Sequence, residues 1–247
     1  MKILVTGDWH TDAITAGVDR AEDVATAIGE TVEAAIREEV DLYLFLGDLC
    51  DPDGVRSHRA AALGVHTAAR LRHYGIASRW LVGNHDVIED GSGSHTLAGI
   101  SALSFGQRLG REDAKVYDAP TVEAIGARGG PGVDLVALPF TPRSHAYDPA
   151  AFIEELPGRV GAAMPVLIAG HLNIEGIGPG SETLDMPRGR DVFFPVEACR
   201  KRFPNALLLN GHYHTRQIFN GIVIPGSLER LTFGEERNEP GYLIVEI

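Results

Sequence analysis

The chain has 247 residues, and its 34 acids outnumber the 22 Lys plus Arg to give a net charge of −12. A hydrophobic content of 44% at that length suits one large globular domain and excludes an intrinsically disordered chain. The acidity excludes a broad cationic coat for nucleic acid, because such binding runs on Lys and Arg against phosphates, and no run of about 18 apolar residues offers a membrane span.

The elements are read in chain order. Lys2–Thr6 is a short apolar run that ends at Gly7, which predicts a strand. Ala21, Val24, Ala25, Ile28, Val32, Ala35 and Ile36 recur at helical spacing and predict a helix over Asp19–Glu39. Leu42–Leu46 reads as a buried strand ending at Gly47-Asp48. Val55–Tyr74 reads as a helix stopping near Gly75, and Ser78–Val82 as a strand ending at Gly83. This strand–helix–strand–helix–strand series implies parallel pairing through right-handed crossovers.

Lys115–Ile125 and Val133–Leu138 are read as strands, and Asp148–Val160 as a helix. Val166–Ala169 is a strand ending at Gly170-His171, and Ala206–Leu209 one ending at Asn210-Gly211. Glu175–Pro195 is rich in Gly and Pro and reads as a long loop. Gln217–Ile224 carries Asn220-Gly221, a hairpin signal, and Tyr242–Ile247 reads as a final strand. No repeat or linker divides the chain, so residues 1–247 are expected to form a single domain. Cys50 and Cys199 cannot build a disulfide framework, and MKILVTGD opens without the apolar stretch of a signal peptide. A cytoplasmic location is the expectation.

One regularity ties the strands together. Each ends in a small-residue turn that carries a metal-capable side chain. Asp8 and His10 follow the first strand, Asp48 the second, and Asn84 and His85 the third. His171 follows a mid-chain strand, and His212 and His214 follow the next. In open α/β sheets, sites form beyond the carboxyl ends of the strands, so these segments are expected to converge. Imidazole and carboxylate donors suit divalent transition metals. Two such ions roughly 3.5–4 Å apart can clamp the attacking and leaving oxygens of a phosphoryl displacement, with Asp48 as a bridging carboxylate.

As a set, Asp8-Trp9-His10, Gly47-Asp48, Gly83-Asn84-His85-Asp86, Gly170-His171 and Gly211-His212-Tyr213-His214 resemble the calcineurin-like metallophosphoesterases. The resemblance implies an α/β fold, a four-layer αββα sandwich. It implies that Asp8, His10, Asp48 and His214 bind one divalent metal and that Asp48, Asn84, His171 and His212 bind a second. Manganese is the first expectation, with iron or zinc as alternatives. A metal-bridging hydroxide would attack phosphorus, and His85 would stabilise the transition state or protonate the leaving oxygen. Asp51 resembles the family's carboxylate partner of that histidine; its alternative is a turn carboxylate that caps the next segment.

Gly47-Asp48-Leu49-Cys50-Asp51 is similar to a segment of SbcD-type DNA double-strand-break-repair exonucleases. So are Ser181-Glu182 with Phe194-Pro195-Val196, and the tail with Pro225–Arg230 and Phe233-Gly234-Glu235-Glu236. The implied function is a phosphodiesterase, a DNA exonuclease or endonuclease. A cyclic-nucleotide phosphodiesterase is the alternative, and an idle metal-binding scaffold a more distant one. Arg188 and Arg190 are candidates for phosphate contact. Between Gly54 and His85 the chain has no acid and no Lys, but it has Arg56, Arg59, Arg70, Arg72 and Arg79. These suit phosphate contact or, alternatively, pairing with acids elsewhere. The resemblance implies a homodimer, with Val55–Tyr74 as one candidate surface, although core packing is the expected fate of its apolar residues. SbcD-type nucleases continue into a cap and an ATPase-binding segment. This chain ends at Ile247, so neither a cap nor an ATPase partner is expected of it.

Overall fold

The structure is a computed structural model that describes residues 1–50, 55–88, 92, 94–105, 113–141, 145–177 and 192–247. Strand β1 (Lys2–Thr6) leads into a two-residue-loop hairpin of β2 (Ile14–Thr15) and β3 (Val18–Asp19), then helix α1 (Ala21–Arg37). Strand β4 (Leu42–Phe45), helix α2 (Val55–His73) and strand β5 (Ala77–Leu81) come after it, then the short helix α3 (Ala98–Ser101). Next come β6 (Ala114–Tyr117), β7 (Thr121–Ile125), β8 (Val133–Leu138), α4 (Pro149–Glu155) and β9 (Val166–Gly170). The chain closes with α5 (Val196–Arg202), β10 (Leu207–Asn210), β11 (Gln217–Phe219), β12 (Ile222–Ile224) and β13 (Leu243–Glu246).

The strands form two large sheets, ordered β13-β1-β4-β5-β6 and β11-β12-β10-β9-β8-β7. Within them β1, β4, β5 and β6 are mutually parallel, as are β8, β9, β10 and β12. Side chains alternate across a strand, and here that alternation builds three cores. Leu4, Tyr43, Phe45 and Trp80 face α1 and α2, alongside Val24, Ile28 and Val32. Ile3, Val5, Leu42, Leu44 and Leu81 turn the other way and meet Leu135, Leu167 and Leu209 between the sheets. Val136, Leu138, Ile168 and Leu208 face α4 and α5, with Ile153 and Cys199. Helices, sheet, sheet and helices are therefore the four layers of an αββα sandwich. Both sheets are covered on both faces, as parallel strands require.

Several boundaries differ from expectation for local reasons. The first helix starts at Ala21, because Val18–Asp19 pairs with Ile14–Thr15 around Ala16-Gly17, both at positive φ. The Lys115–Ile125 run is two strands, one in each sheet, and Pro120 lies between them where neither ladder needs a donor. Helix α4 spans Pro149–Glu155, shorter than Asp148–Val160. Asp148 caps it by accepting the N–H groups of Ala150 and Ala151, and Pro157 disfavours helical backbone at Leu156. The α5 helix comes directly after the expected loop, most of which lies outside the described residues. In α2, Ala60 and Leu71 are buried, and Leu63 and Val65 pack against the same core, so these apolar positions serve folding. Ala69 on that helix is exposed. Among the described residues no helix is long and apolar enough to cross a membrane.

Candidate metal centre

The carboxyl ends of β1, β4, β5, β9 and β10 lie along one edge where the two sheets meet. The turns there are built around close backbone approach. A Cβ on Gly83 would fall 2.1 Å from Asp48 Oδ1, and one on Gly47 would fall 2.4 Å from His171 Nδ1. Gly47 also has φ +106, which L side chains rarely adopt. Four neighbouring residues with side chains take left-handed backbone as well: Asp8 (φ 50), His10 (φ 42), Asp48 (φ 60) and His212 (φ 76). Such residues cluster at functional sites because the surroundings over-determine them. Here Asp8 N–H donates to Gly47 O at 2.8 Å and Trp9 N–H donates to Asp48 O at 2.8 Å. Across the sheets, His212 N–H donates to Asp8 Oδ1 at 2.9 Å.

Two groups of buried ligand-type atoms result, each with its atoms within 4.8 Å of one another. Asp8, His10 and His214 form one; Asp48, His171 and His212 form the other. Asp48 joins them through one oxygen: its Oδ2 lies 3.7 Å from His10 Nε2 and 3.2 Å from His171 Nε2. Asn84 enters the second group. Its Oδ1 is 2.9 Å from His171 Nε2 and 3.0 Å from His212 Nδ1. The structure thus brings together all seven side chains expected as metal ligands. His85 stands beside them without joining either group; its ring centroid is 4.9 Å from that of His10, and its N–H donates to Asp48 Oδ1 at 2.9 Å. Asp51, Arg188 and Arg190 lie outside the described residues.

The electrostatics fit a cation site. Asp8 Oδ2 and His212 Nε2 are buried and have no hydrogen-bond partner among the described residues. Burying Asp8 Oδ2 unpaired is costly, and a divalent ion held with His10 and His214 would satisfy it. Burial pushes the Asp8 carboxyl up to about 6, with Asp48 adding to the rise. Burial works on Asp48 in the same sense. The imidazoles of His171, His85 and His10 outweigh it and hold Asp48 well below the usual carboxylate range. For His171, burial is outweighed by Asp48 and Asp8, and the imidazole rises to about 9. Burial and the neighbouring His171 push His212 down to about 3, so it is a neutral nitrogen donor. The donors are nitrogen and oxygen; the buried Cys50 and Cys199 belong to neither group.

Sequence reasoning missed two carboxylates. Asp86 stands in the sequence as the last residue of the Gly83-Asn84-His85-Asp86 motif, with no role of its own. In the fold it is fully buried and accepts from the N–H groups of Asp48 (2.9 Å), Leu49 (2.9 Å) and Gly83 (2.8 Å) and from the Thr96 hydroxyl (2.6 Å). It ties the Asp48 turn to the Asn84–His85 turn. Burial, then Asp48, push its carboxyl up, and these donors pull it back. Glu235 is 2% exposed, and its Oε1 lies 2.9 Å from His214 Nδ1. Its only sequence signal is the Phe233–Glu236 segment.

The arginine-rich stretch resolves toward pairing. Arg70 pairs with Glu33, Arg72 with Asp113 at 3.0 Å, and the buried Arg79 with Glu123 at 2.5 Å. Arg59 is exposed, and the Arg56 side chain lies outside what is described.

Two staphylococcal proteins, each named as the D component of nuclease SbcCD, are similar over the full chain. The Staphylococcus saprophyticus protein is 26% identical over 260 residues and that of Staphylococcus epidermidis 25% over 266. The chain spans 66% of the length of each. Among solved structures, a Thermus thermophilus protein overlays with a TM-score of 0.52 at 15% identity, covering 92% of this chain and 89% of that one. A dimetal phosphatase from Danio rerio overlays at 0.50 with 14% identity, covering 92% and 87%. These two likenesses bear on the fold. The family model for calcineurin-like phosphoesterases matches residues 1–216, which takes in all seven ligand-type side chains of the two groups; the chain belongs to that family and is a hydrolase acting on ester bonds.

Proposed function

We propose that the chain is a two-metal phosphodiesterase that cleaves nucleic acid, with DNA as the substrate. The observation that carries the two-metal reading is the shared oxygen: Asp48 Oδ2 faces His10 on one side and His171 on the other. Asp8, His10 and His214 would hold one ion, Asn84, His171 and His212 the other, and Asp48 both. Manganese fits this nitrogen and oxygen donor set, as do iron and zinc. Bound there, the ions supply Lewis acidity and a water that ionises near neutral pH.

The chain's own residues supply the rest. His212 is neutral and buried, so its nitrogen is available without losing a proton. His171 Nδ1 lies 2.6 Å from Leu46 O, which fixes the ring and leaves Nε2 toward Asn84 and Asp48. His85 is half-buried, close to His10 and outside both ligand groups, which suits a proton donor to the leaving oxygen. Asp51, three residues beyond Asp48, is the proposed partner of His85. Arg188 and Arg190 are proposed phosphate contacts. The nuclease named in both staphylococcal relatives supports a nucleic acid substrate.

The test is a metal-by-substrate panel. Metal-stripped protein is reloaded with Mn, Fe or Zn and offered linear DNA, bis(p-nitrophenyl) phosphate and a cyclic nucleotide, as wild type and as His85→Ala. The expected result is DNA degradation with Mn, and a loss of about 10²–10⁴-fold in kcat for His85→Ala at unchanged metal content. Turnover of the cyclic nucleotide alone would replace the nuclease reading. Loss of metal in His85→Ala would move that histidine into the ligand set.

A further inference from the structure

Strand β10 is an apolar run, Leu207–Leu209, that ends in a fully buried amide, Asn210. A buried amide is costly unless its polar atoms are paired. Here they all are. Asn210 Oδ1 accepts the Leu172 N–H at 3.1 Å, and Nδ2 donates to Leu172 O at 2.9 Å and to Gly211 O at 2.7 Å. Both N–H groups of the amide and its carbonyl are thereby used.

The place of these bonds matters more than their number. The register of β9 and β10 runs to Gly170 opposite Asn210, and Gly211 N–H still donates to Gly170 O at 3.0 Å. At His212 the backbone turns left-handed (φ 76), which takes the chain out of the strand. His171 leaves β9 by its own route, with its N–H donating to Leu138 O at 3.1 Å. Beyond that point the Asn210 amide stands in for a peptide group. It holds both backbone groups of the residue after His171 and the carbonyl of the residue before His212. Gly170 leaves the room for it. A Cβ there would fall 3.0 Å from Asn210 Oδ1 and 2.9 Å from the Phe194 ring.

The two imidazoles carried by these turns belong to the same ligand group. Their ring centroids are 5.3 Å apart, and both rings meet Asn84 Oδ1, at 2.9 Å for His171 Nε2 and 3.0 Å for His212 Nδ1. Donors held at the right separation need no reorganisation when an ion arrives, so slackening them lowers the affinity for that ion. We propose that Asn210 is a positioning residue for one metal site, that of Asp48, Asn84, His171 and His212, and acts by fixing the two histidine turns to each other. The proposal rests on the two-metal reading and deepens it. Each site then has its own support: Asn210 for this one, and Glu235 behind His214 for the other.

The experiment is a calorimetric titration of the metal-free full chain with Mn²⁺, in which wild type should show two binding steps. Asn210→Leu, similar in size but without the amide, should weaken one step by about 10–100-fold and leave the other unchanged. Asn210→Ala leaves space for a bridging water and should weaken the same step by a smaller factor; it carries the test if the Leu variant does not fold. Tyr213→Phe is the control. The Tyr213 hydroxyl accepts the Ile174 N–H at 2.8 Å, two residues beyond Leu172, so its loss should lower thermal stability with both steps unchanged. Asn210→Leu combined with Glu235→Ala should weaken both steps. Two steps that stay at wild-type affinity in Asn210→Leu, or that weaken equally, overturn the proposal alone. So does a Tyr213→Phe variant that weakens a step as much as Asn210→Leu, because general loosening would then explain the loss. A combined variant that weakens one step only would place Asn210 behind the His214 site and overturn the assignment. A single binding step in wild type overturns the two-metal reading and the proposal with it.

Discussion

Glu235 Oε1 lies 2.9 Å from His214 Nδ1, and both side chains are buried. The second oxygen of Glu235 accepts the Leu231 N–H at 2.8 Å. The carboxylate is thereby held by its own turn and in turn sets the orientation of the imidazole. A carboxylate on one nitrogen of a histidine makes the other nitrogen a better and better-aimed donor to a metal.

Removing that support should weaken one metal site and spare the other. Glu235→Ala is expected to lower the affinity of one of two metal-binding steps by about 10–100-fold. Glu235→Gln keeps an acceptor for His214 and should recover much of the loss. Calorimetric titration of the metal-free protein reads both steps. Two equally weakened steps, or none, would contradict the local role.

Asp86 has a different task, which is to hold two ligand-bearing turns together. Asp86→Ala leaves three buried N–H groups without an acceptor and should cost about 3–5 kcal/mol, at about 1–3 kcal/mol for each unsatisfied group with partial relaxation. Asp86→Asn retains an acceptor and should cost roughly half as much. Denaturant unfolding measures both. A cost for Asp86→Ala below about 1 kcal/mol would mean that water replaces the brace.

The strand framework and the ligand set are legible for one physical reason. Buried parallel strands such as Leu42–Phe45 and Val166–Gly170 are continuous apolar runs, and the turn after each run must lie at the sheet edge. Partners from distant sequence carry no such mark. Glu235 stands 21 positions after His214, and only the turn that ends in it brings the two together. Arg79 reads as a phosphate contact among other arginines, yet its acid comes from the second sheet, 44 positions on. Asp86 sits beside His85 in the motif, but its donors Asp48 and Leu49 come from 38 and 37 positions earlier and Thr96 from 10 positions later.

The charge state of His171 predicts a pH dependence with a definite sign. Its folded value of about 9 stands above the usual 6.5, raised by Asp48 and Asp8 against burial. In the metal-free protein this contributes stability that is fully present below 6.5 and is lost as pH rises through about 9. A metal must displace the same proton. Metal affinity should therefore rise with pH across this window, and binding near pH 7.5 should release about one proton. Calorimetry in two buffers of different ionisation enthalpy counts it. Zero release would mean that His171 is already neutral before the metal arrives.

Glu123 ties one sheet to the other and belongs to neither ligand group, so its loss should be felt as stability without loss of metal. It sits on β7 and pairs with Arg79 of β5 in the other sheet, with Nε at 3.1 Å and an NH2 nitrogen at 2.5 Å. The Tyr117 hydroxyl donates to it, and Lys115 Nζ lies 3.2 Å away. Burial works against the charge, but Arg79 outweighs it and holds the carboxyl below its usual value. The stabilisation is therefore present above the usual carboxylate range and is lost as pH falls through the lower folded value. Glu123→Ala strands the Arg79 guanidinium, which is 4% exposed, and should cost about 3 kcal/mol. The double variant Arg79→Met with Glu123→Leu should recover most of that cost, because two apolar groups leave no buried charge behind. Equal destabilisation in the single and double variants would mean that the pair contributes through packing alone.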